Sequence, residues 1–485
     1  MATVNEERAP YPGAQAQGER RDRSSKVVPF IVGCALFMQM LDSTVIATAL
    51  PTMARDLGET PVRLNLAITS YMLSAAIFIP VSGWVADRFG PRGVFRAAIA
   101  LFTVSSVLCA LSHSLMELVG ARILQGAAGA MMVPVGRILL LRTVPKAELV
   151  QAMAYVTVPA LLGPLLGPPI GGAIVTYGTW PWIFLMNLPI GVAGIVLVSI
   201  FIARTGPAER RPFDLPGFVL LAVALAALMF AFDAVARSDL PVAVDLAFFG
   251  IGALCTLVYV RHARRTEHAL IALDIVAVPS FAASTLGGSL FRLSLGATPF
   301  LLALLFQVGF GLSPLHSGLL IFASALGALV MKPCAPPILK RFGFRNVLIW
   351  NAVIGSTGMA VYALFGPDTP YALILAVLLA TGFFRSLQMT SLNALAFADI
   401  APDAMSRAST LSSMMMQLSL SVGAGLAAVL VHLAQQLNDT AQVGSGEVAP
   451  AFLAIGALGA ISALFFLRLP PDVGDALSPG RQQAG

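Results

Sequence analysis

The chain is poor in charge. Only 11% of its 485 residues are Asp, Glu, Lys or Arg, whereas 57% are hydrophobic. A soluble domain usually carries about 25% charged residues, so the composition excludes a water-soluble enzyme or binding module. Apolar runs are abundant instead: fourteen stretches between Val27 and Arg468 each approach the length of about 20 residues that an α-helix needs to cross a bilayer. We therefore predict an all-α integral membrane protein.

Sequence motifs for metal binding and for ATP binding are also absent. The chain has four cysteines, which fall in apolar stretches without metal-ligand spacing, so we expect them to pack rather than to form disulfides or bind a metal. No Gly-rich loop ends in Lys-Ser or Lys-Thr, so nothing indicates an ATP-driven motor. The sequence predicts no enzymatic activity, no metal site and no cofactor.

The basic residues are concentrated at one end of the predicted helices. Most of the 30 Lys and Arg residues lie in alternate turns, such as 88–96, 261–265 and 340–345, and in the two tails. The positive-inside rule places these turns and both termini in the cytoplasm and makes the helix count even. Because the charges mark orientation, they do not indicate a nucleic-acid partner. Residues 1–26 lack a cleavable signal and are expected to form a flexible cytoplasmic tail, as are residues 469–485.

One short segment occurs twice. Residues 87–94 and 340–347 share Arg, Phe, Gly, Arg and Val in the same order, each in a basic turn after the second helix of a group of six. Chance similarity between basic turns is the alternative, but the shared Phe-Gly favours duplication. The sequence thus predicts a six-helix half at 27–203, two extra helices within 204–270 and a second half at 271–468. Duplicated halves are typical of secondary transporters.

Four further motifs occur in order along helices 1 to 5. They are Leu41-Asp42-Ser43-Thr44 through Ala49-Leu50-Pro51, Gly83-x-x-x-Asp87-Arg88-x-Gly90-x-Arg92, Arg122-x-x-Gln125-Gly126-x-x-Gly129, and Gly163-Pro164-x-x-Gly167-Pro168-x-x-Gly171-Gly172. Together they resemble the major facilitator superfamily over about residues 27–467. The resemblance is to its 14-helix drug/proton antiporters of the EmrB/QacA type. Residues 129–137 are similar in sequence to an MdtD-like subgroup of that family.

The resemblance implies a fold and a function. The expected fold has two six-helix halves with two inserted helices, and the expected protein is a proton-coupled antiporter of the multidrug-efflux type in the cytoplasmic (inner) membrane of a bacterium. Its partners would be a small-molecule substrate, protons and the lipid bilayer. A proton-coupled exporter of an organic anion, such as a polycarboxylate or its metal complex, is the alternative within transport. A transporter-like ligand sensor or scaffold is the alternative from another class.

Two of the motifs suggest mechanical roles. Gly83 would allow close helix approach and Asp87 would lie favourably at a helix N-terminus, so this motif is predicted to form a cytoplasmic latch. The resemblance implies that its partner is the start of helix 13, near residues 406–409. An ordinary basic turn is the alternative. The resemblance identifies the Gly-Pro pattern at 163–172 as the antiporter motif, which seals the two halves; a merely structural bend is the alternative.

Asp42 is the one carboxylate of the twelve core helices that lies clearly at membrane depth, where an acid is costly unless it is paired, hydrated or protonated. Arg122 lies at a comparable depth, roughly 10 Å inside the outer boundary, so the two side chains are expected to meet. A carboxylate that alternates between arginine and water suits proton coupling. A static ion pair between helices 1 and 4 is the alternative.

The remaining charges at membrane depth are cations. They are Arg137, Arg292, Lys332 and Arg385, and Arg137 and Lys332 lie near helix ends, where they can reach the interface by snorkelling. A guanidinium far from a helix end offers a planar fork to a carboxylate, which favours an anionic or zwitterionic substrate over a lipophilic cation. The predicted substrate-binding residues are Arg292, Arg385, Gln125, Gln388 and Asn393.

Overall fold

In the computed structural model the described residues are 12–144, 149–202, 212–237, 242–266, 269–271, 273–401, 404–440, 444–470 and 473, and every regular element among them is helical. The fourteen long helices are α1 (Pro12–Asp56), α2 (Pro61–Phe78 with Val81–Phe89), α3 (Pro91–Ala110), α4 (Leu115–Thr143), α5 (Leu149–Tyr177), α6 (Trp182–Phe201), α7 (Leu215–Arg237), α8 (Val242–Ala263), α9 (Pro279–Gly309), α10 (Pro314–Phe342), α11 (Phe344–Tyr362), α12 (Tyr371–Ala396), α13 (Met405–Leu437) and α14 (Ser445–Leu467).

The predicted all-α membrane fold is confirmed. Each of the fourteen predicted apolar stretches corresponds to one helix, and ten of these, or eleven with the bent α2, are long and apolar enough to cross a membrane. One boundary differs: α1 begins at Pro12 rather than near residue 27, although its spanning part does begin at Val27. Residues 1–11 and 474–485 of the two predicted tails lie outside the described residues.

Two helices depart from regular α-geometry. Helix α2 bends by 58° between Phe78 and Val81, beside Pro80, whose ring removes a backbone donor. Helix α9 contains two π-helical segments, Ala283–Gly287 and Leu304–Gly309. Such π-turns are frequent at functional sites.

The helices form two groups that meet at two seams. In the first half α1 packs on α5 and α3 on α4, and in the second half α10 packs on α12 and α11 on α14. The halves meet where α5 contacts α10 and where α2 contacts α13. Asn65 Nδ2 donates to the Ala424 carbonyl at 2.8 Å, and Leu315 N donates to Thr176 Oγ1 at 3.1 Å. Both bonds lie away from the basic side, which we define as the end carrying the turns 88–96 and 340–345.

The duplicated turns share one backbone conformation. Gly90 has φ 83° and caps the start of α3, and Gly343 has φ 76° and caps the start of α11. Glycine is favoured here because other residues rarely adopt positive φ. The two segments that match in sequence therefore also match in local structure, which supports the division into two related halves.

The inserted helices lie at one seam. Helix α7 packs against both α13 and α2 and is joined to α2 by ring contacts at 4.6 Å between Trp84 and Phe213 and at 5.7 Å between Phe78 and Phe218. Helix α8 packs chiefly against α7, and only 11% of its apolar membrane-spanning stretch is buried. The pair is therefore peripheral, with α8 facing lipid.

A carboxylate anchors this inserted pair at the basic side. Asp214 precedes α7 and lies 2.7 Å from His262 Nε2 near the end of α8, while the backbone N–H groups of Gly217 and Leu270 donate to its two oxygens at 2.9 and 3.1 Å. Burial acts to raise the pKa of Asp214, but the hydrogen bonds from His262 and the two backbone donors outweigh it, so its pKa lies below the ordinary value. Asp214 thus fixes both inserted helices to the segment that leads into α9.

Candidate functional site

A buried ion pair occupies the interior of the first half. Arg122 Nη1 of α4 lies 2.6 Å from Asp42 Oδ2 of α1, and the two side chains are each 1% exposed. Arg122 Nε also donates to the Ala67 carbonyl of α2 at 3.1 Å. The meeting expected from the depths of the two residues is present, and it ties three helices of this half together.

Amides complete the shell of the carboxylate. Gln125 Nε2 and Asn187 Nδ2 each donate to Asp42 Oδ1 at 2.9 Å, and Gln125 Oε1 accepts from Arg122 Nη1 at 2.6 Å. Both amides also reach Ser106 Oγ of α3. Each of these donors suits an ionised carboxylate. We refer to Asp42, Arg122, Gln125, Asn187 and Ser106 as the Asp42 network.

Aromatic rings close the network from solvent. The Arg122 guanidinium carbon lies 4.3 Å from the ring centre of Tyr71 and 5.8 Å from that of Phe184. These contacts add a favourable interaction between the cation and the ring faces. The sequence interpretation missed Tyr71, Ser106 and Asn187; an asparagine within the apolar helix α6 was the signal that could have found Asn187.

A cavity of about 300 Å³ lies between the two halves. It is lined by Thr44, Ala47 and Thr48 of α1, Pro164 and Pro168 of α5, and residues of α9, α10 and α12, including Thr298, Ser324, Arg385 and Ser386. Arg385 is the one charged side chain among its lining residues. The cavity is otherwise mainly apolar, as binding sites for small molecules usually are.

A smaller cavity of about 210 Å³ adjoins it on the basic side. The two share Pro164, Ala325, Ala328 and Ser386, and the smaller one adds Lys332. Lys332 Nζ donates to Thr390 Oγ1 at 3.2 Å. The two cavities thus extend from the centre of the protein toward the basic side with one arginine and one lysine in their lining, and none of their described lining residues is acidic.

The predicted substrate-binding residues are dispersed. Arg385 lines the central cavity, whereas Gln125 belongs to the Asp42 network. Arg292 and Gln388 are fully buried within the second half and line neither cavity, and Asn393 is exposed. Within the described residues no group of three His, Cys, Asp or Glu side chains could hold a metal ion.

The sequence model of the Major Facilitator Superfamily matches residues 32–424 and 284–484. The chain belongs to this superfamily. It is 38% identical over 449 residues to a protein of Salmonella paratyphi B that carries the provisional name multidrug resistance protein MdtD; the match covers 91% of this chain and 94% of the relative. A protein of the same name from Pectobacterium atrosepticum is 39% identical over 445 residues, covering 91% and 95%.

A solved structure agrees on the fold. A transporter of the POT family, solved with 5-aminolevulinic acid, superposes with a TM-score of 0.68 at 14% identity and covers 93% of this chain and 96% of its own. The expected resemblance to 14-helix MdtD-like members of the superfamily is therefore confirmed. The protein is a multi-pass membrane transporter and not an enzyme.

The glycines of the predicted antiporter motif, residues 163–172, lie where neighbouring helices approach closely. A Cβ added at Gly163 would lie 2.6 Å from Met40 Cβ, and Gly171 lies as closely against Val45 of the same helix α1. Gly172 instead faces Pro314 and Leu315 of α10, in the other half. Small residues allow such close approach in membranes. The motif thus serves both α1 packing and the seam, within a helix that runs unbroken from Leu149 to Tyr177.

The predicted latch motif lies between Gly83 and Arg92, and its closure against residues 406–409 stays a prediction. A Cβ at Gly83 would meet nothing within 4 Å, and the section Val81–Phe89 packs mainly on α3 and α4. Arg92 Nη2 donates to the Ser199 carbonyl at 2.5 Å, within the same half. Across the halves at the basic side, Arg137 Nη1 donates to Ser409 Oγ at 2.9 Å. This bond involves Ser409, one of the residues 406–409 against which the latch is predicted to close.

Proposed function

We propose that this transporter exports a small molecule across the cytoplasmic membrane in exchange for protons, with Asp42 as the residue that takes up and releases the proton. The supporting observation is the Asp42 network: a carboxylate inside a membrane helix holds a buried arginine at 2.6 Å. An intramembrane acid of this kind is by default a functional group. The direction of transport, export, is proposed from the similarity to the multidrug resistance proteins named above.

Protonation of Asp42 would change the energy of the network. A neutral carboxyl leaves Arg122 charged and buried with no anion beside it, because arginine does not deprotonate in proteins. The network would then rearrange until Arg122 finds water or another acceptor. Helix α1 carries Asp42 toward the network and Thr44 and Thr48 toward the cavity. A shift of α1 therefore links the proton to the transported molecule.

Reconstitution of the full chain tests this proposal. Proteoliposomes with an imposed pH gradient are assayed for accumulation of four probes: citrate and fluorescein as anions, ethidium and tetraphenylphosphonium as cations. For any probe that wild type accumulates, Asp42→Asn is expected to abolish gradient-driven accumulation while retaining exchange across equal pH. Asp245→Asn, in the peripheral α8, is the matched control and should transport normally.

A double variant guards against misfolding. Because Asp42→Asn strands a buried cation, it is expected to cost about 3–5 kcal/mol of stability, and adding Arg122→Gln should recover part of that loss. The folded double variant should still lack coupling. Accumulation driven by the gradient in either variant would contradict the proposal. The pair of Asp42 and Arg122 would then be a static ion pair that only holds the helices together. Binding of a probe by wild type without any transport would favour the sensor or scaffold function.

A second candidate function is the export of an organic anion. It is favoured by the charge of the cavities, which present Arg385 and Lys332 and no acid. Arg385 Nε is buried without a hydrogen-bond partner among the described residues, so the guanidinium retains capacity for a ligand. A pump for lipophilic cations would more naturally present carboxylates or ring faces.

Ligand-induced thermal stabilisation separates the two substrate classes. We expect the anionic probes to raise the melting temperature of the wild-type protein, and Arg385→Gln to remove most of that increase. Arg341→Gln, an exposed basic-side variant, is the control and should respond as wild type does. Stabilisation by ethidium or tetraphenylphosphonium alone, unchanged in Arg385→Gln, would contradict the anion candidate.

A further inference from the structure

Arg292 is a buried cation without an anion. Its side chain in α9 has no exposed surface, and its one hydrogen bond within the described part of the chain is a 3.5 Å contact from Nη1 to the Ser284 carbonyl. Its Nε and Nη2 atoms have no partner among the described residues. Arginine stays charged when buried, so this site differs sharply from Arg122, whose charge is matched by Asp42.

The second half offers no acid to Arg292. Within its described part, the acidic side chains lie in turns or at helix ends: Asp274, Asp368, Asp399, Asp439 and Glu447. An unmatched charge in the interior costs several kcal/mol. Either the protein carries that cost or an anion from solution removes it.

Further unsatisfied polar atoms lie on the helices that neighbour this part of α9. Gln388 Nε2 donates to the Leu348 carbonyl at 3.2 Å, which places α12 against α11 at this depth. Asn351 Nδ2, one turn beyond Leu348, has no partner among the described residues. Leu392, one turn beyond Gln388, lies against Gly288. A Cβ added at Gly288 would also lie 3.5 Å from Arg292 Nη1. Helix α12 thus contacts α9 and α11 at positions one turn apart, and α9 and α11 each carry an unpaired buried donor among the described residues.

The backbone beside Arg292 is also irregular. The π-helical segment Ala283–Gly287 ends one turn before it, and Ser284 within that segment donates its hydroxyl to the Leu392 carbonyl at 2.5 Å. A π-turn costs regular hydrogen bonding and is retained mostly where a site needs it. The irregular backbone is an observation independent of the charge of Arg292, and it occurs at the same contact between α9 and α12.

We propose that Arg292 holds a small inorganic anion, with chloride as the representative ligand, as a resident counter-ion in the second half. The anion must be small because Arg292 lines neither cavity and is packed against Gly288 and the layer of Leu392, so a drug-sized molecule does not reach it. It would accept from the guanidinium and from Asn351, in the way that charged donors bind anions elsewhere. This site is separate from proton coupling and from the cavity.

Thermal unfolding of the purified full chain tests the inference without substrate or gradient. The melting temperature is measured while chloride replaces gluconate at constant ionic strength. We expect a saturable rise for wild type, and the same rise for Arg341→Gln, whose arginine is exposed at the basic side. Arg292→Gln should weaken the apparent chloride affinity at least about tenfold, equivalent to about 1.4 kcal/mol.

Two results would overturn it. Equal melting temperatures for wild type in chloride and gluconate would exclude the anion, whatever the variants do. An unchanged chloride response in Arg292→Gln would place the anion elsewhere. If Arg292→Gln does not fold, Asn351→Leu takes its place, with a weaker chloride response expected and an unchanged one counting against the site. Loss of proton coupling in the transport assay would not alter either outcome.

Discussion

Gln307 Nε2 of α9 donates a 2.7 Å hydrogen bond to the carbonyl oxygen of Thr48 in α1. This bond joins the two halves, and Thr48 also lines the central cavity. Gln307 lies in the second π-helical segment of α9. A contact between the halves beside the cavity is therefore made by a side chain on an irregular turn, which is a position suited to a bond that breaks and reforms during transport.

Replacing Gln307 by Leu should weaken this contact between the halves. The variant loses the bond to Thr48, which we expect to cost about 0.5–1.5 kcal/mol and to lower the melting temperature measured in detergent. Gln436→Leu, at an exposed position of α13, is the matched control. A melting temperature equal to that of wild type in Gln307→Leu would show that the bond contributes nothing to the stability of this contact.

Gly172→Val should disrupt the seam between α5 and α10. A side chain at this position meets backbone atoms of Pro314 and Leu315, which cannot move aside as a flexible side chain would. Overpacking of this kind costs about 1–3 kcal/mol. Differential scanning fluorimetry should show a lower melting temperature, whereas Gly83→Ala, which meets open space, should be close to neutral. Equal effects of the two substitutions would contradict the assigned contact.

Asp214 should give the stability a dependence on pH. Its lowered pKa means that the carboxylate stabilises the folded state above the ordinary pKa of 3.8 and that this contribution is lost as pH falls below that value. Asp214→Asn should therefore be less stable than wild type at neutral pH, and the difference should narrow toward about pH 3. Melting temperatures across this range provide the measurement, with exposed Asp368→Asn as control. A difference that is constant with pH would contradict the role of its charge.

The orientation predicted from the charges can be tested by labelling. In a background without the four native cysteines, Ser445→Cys should react with an impermeant maleimide in intact cells, because it begins α14 at the end opposite the basic side. Asn346→Cys, exposed beside the basic turn at 340–345, should react only after permeabilisation. Labelling of both from outside would overturn the predicted topology.

The helices were largely predictable from the sequence because a bilayer dictates their length and composition. All fourteen stretches became helices, and the shared Phe-Gly turns proved to have the same positive φ at Gly90 and Gly343. The bend in α2 and the π-turns in α9 were not predicted, since hydropathy does not register a shifted hydrogen bond. Pro80 was a local signal for the first of these.

The site was only partly predictable. Depth along two helices was enough to bring Asp42 and Arg122 together, because both positions are fixed by the rise per residue. The side chains that face the cavity are determined by the rotation of each helix about its axis. Depth along the helix does not determine that rotation. That is why Gln125 lies in the Asp42 network rather than the cavity, and why Asn187 was missed.

The position of α7 makes the perimeter of the transporter unequal. One seam between the halves, at α2 and α13, has a third helix lying along it, and the inserted pair does not extend to the other, at α5 and α10. A compound dissolved in the lipid leaflet thus meets one covered and one uncovered lateral entrance. We therefore expect any sideways entry from the bilayer at the uncovered seam, where Gly172 of α5 faces α10.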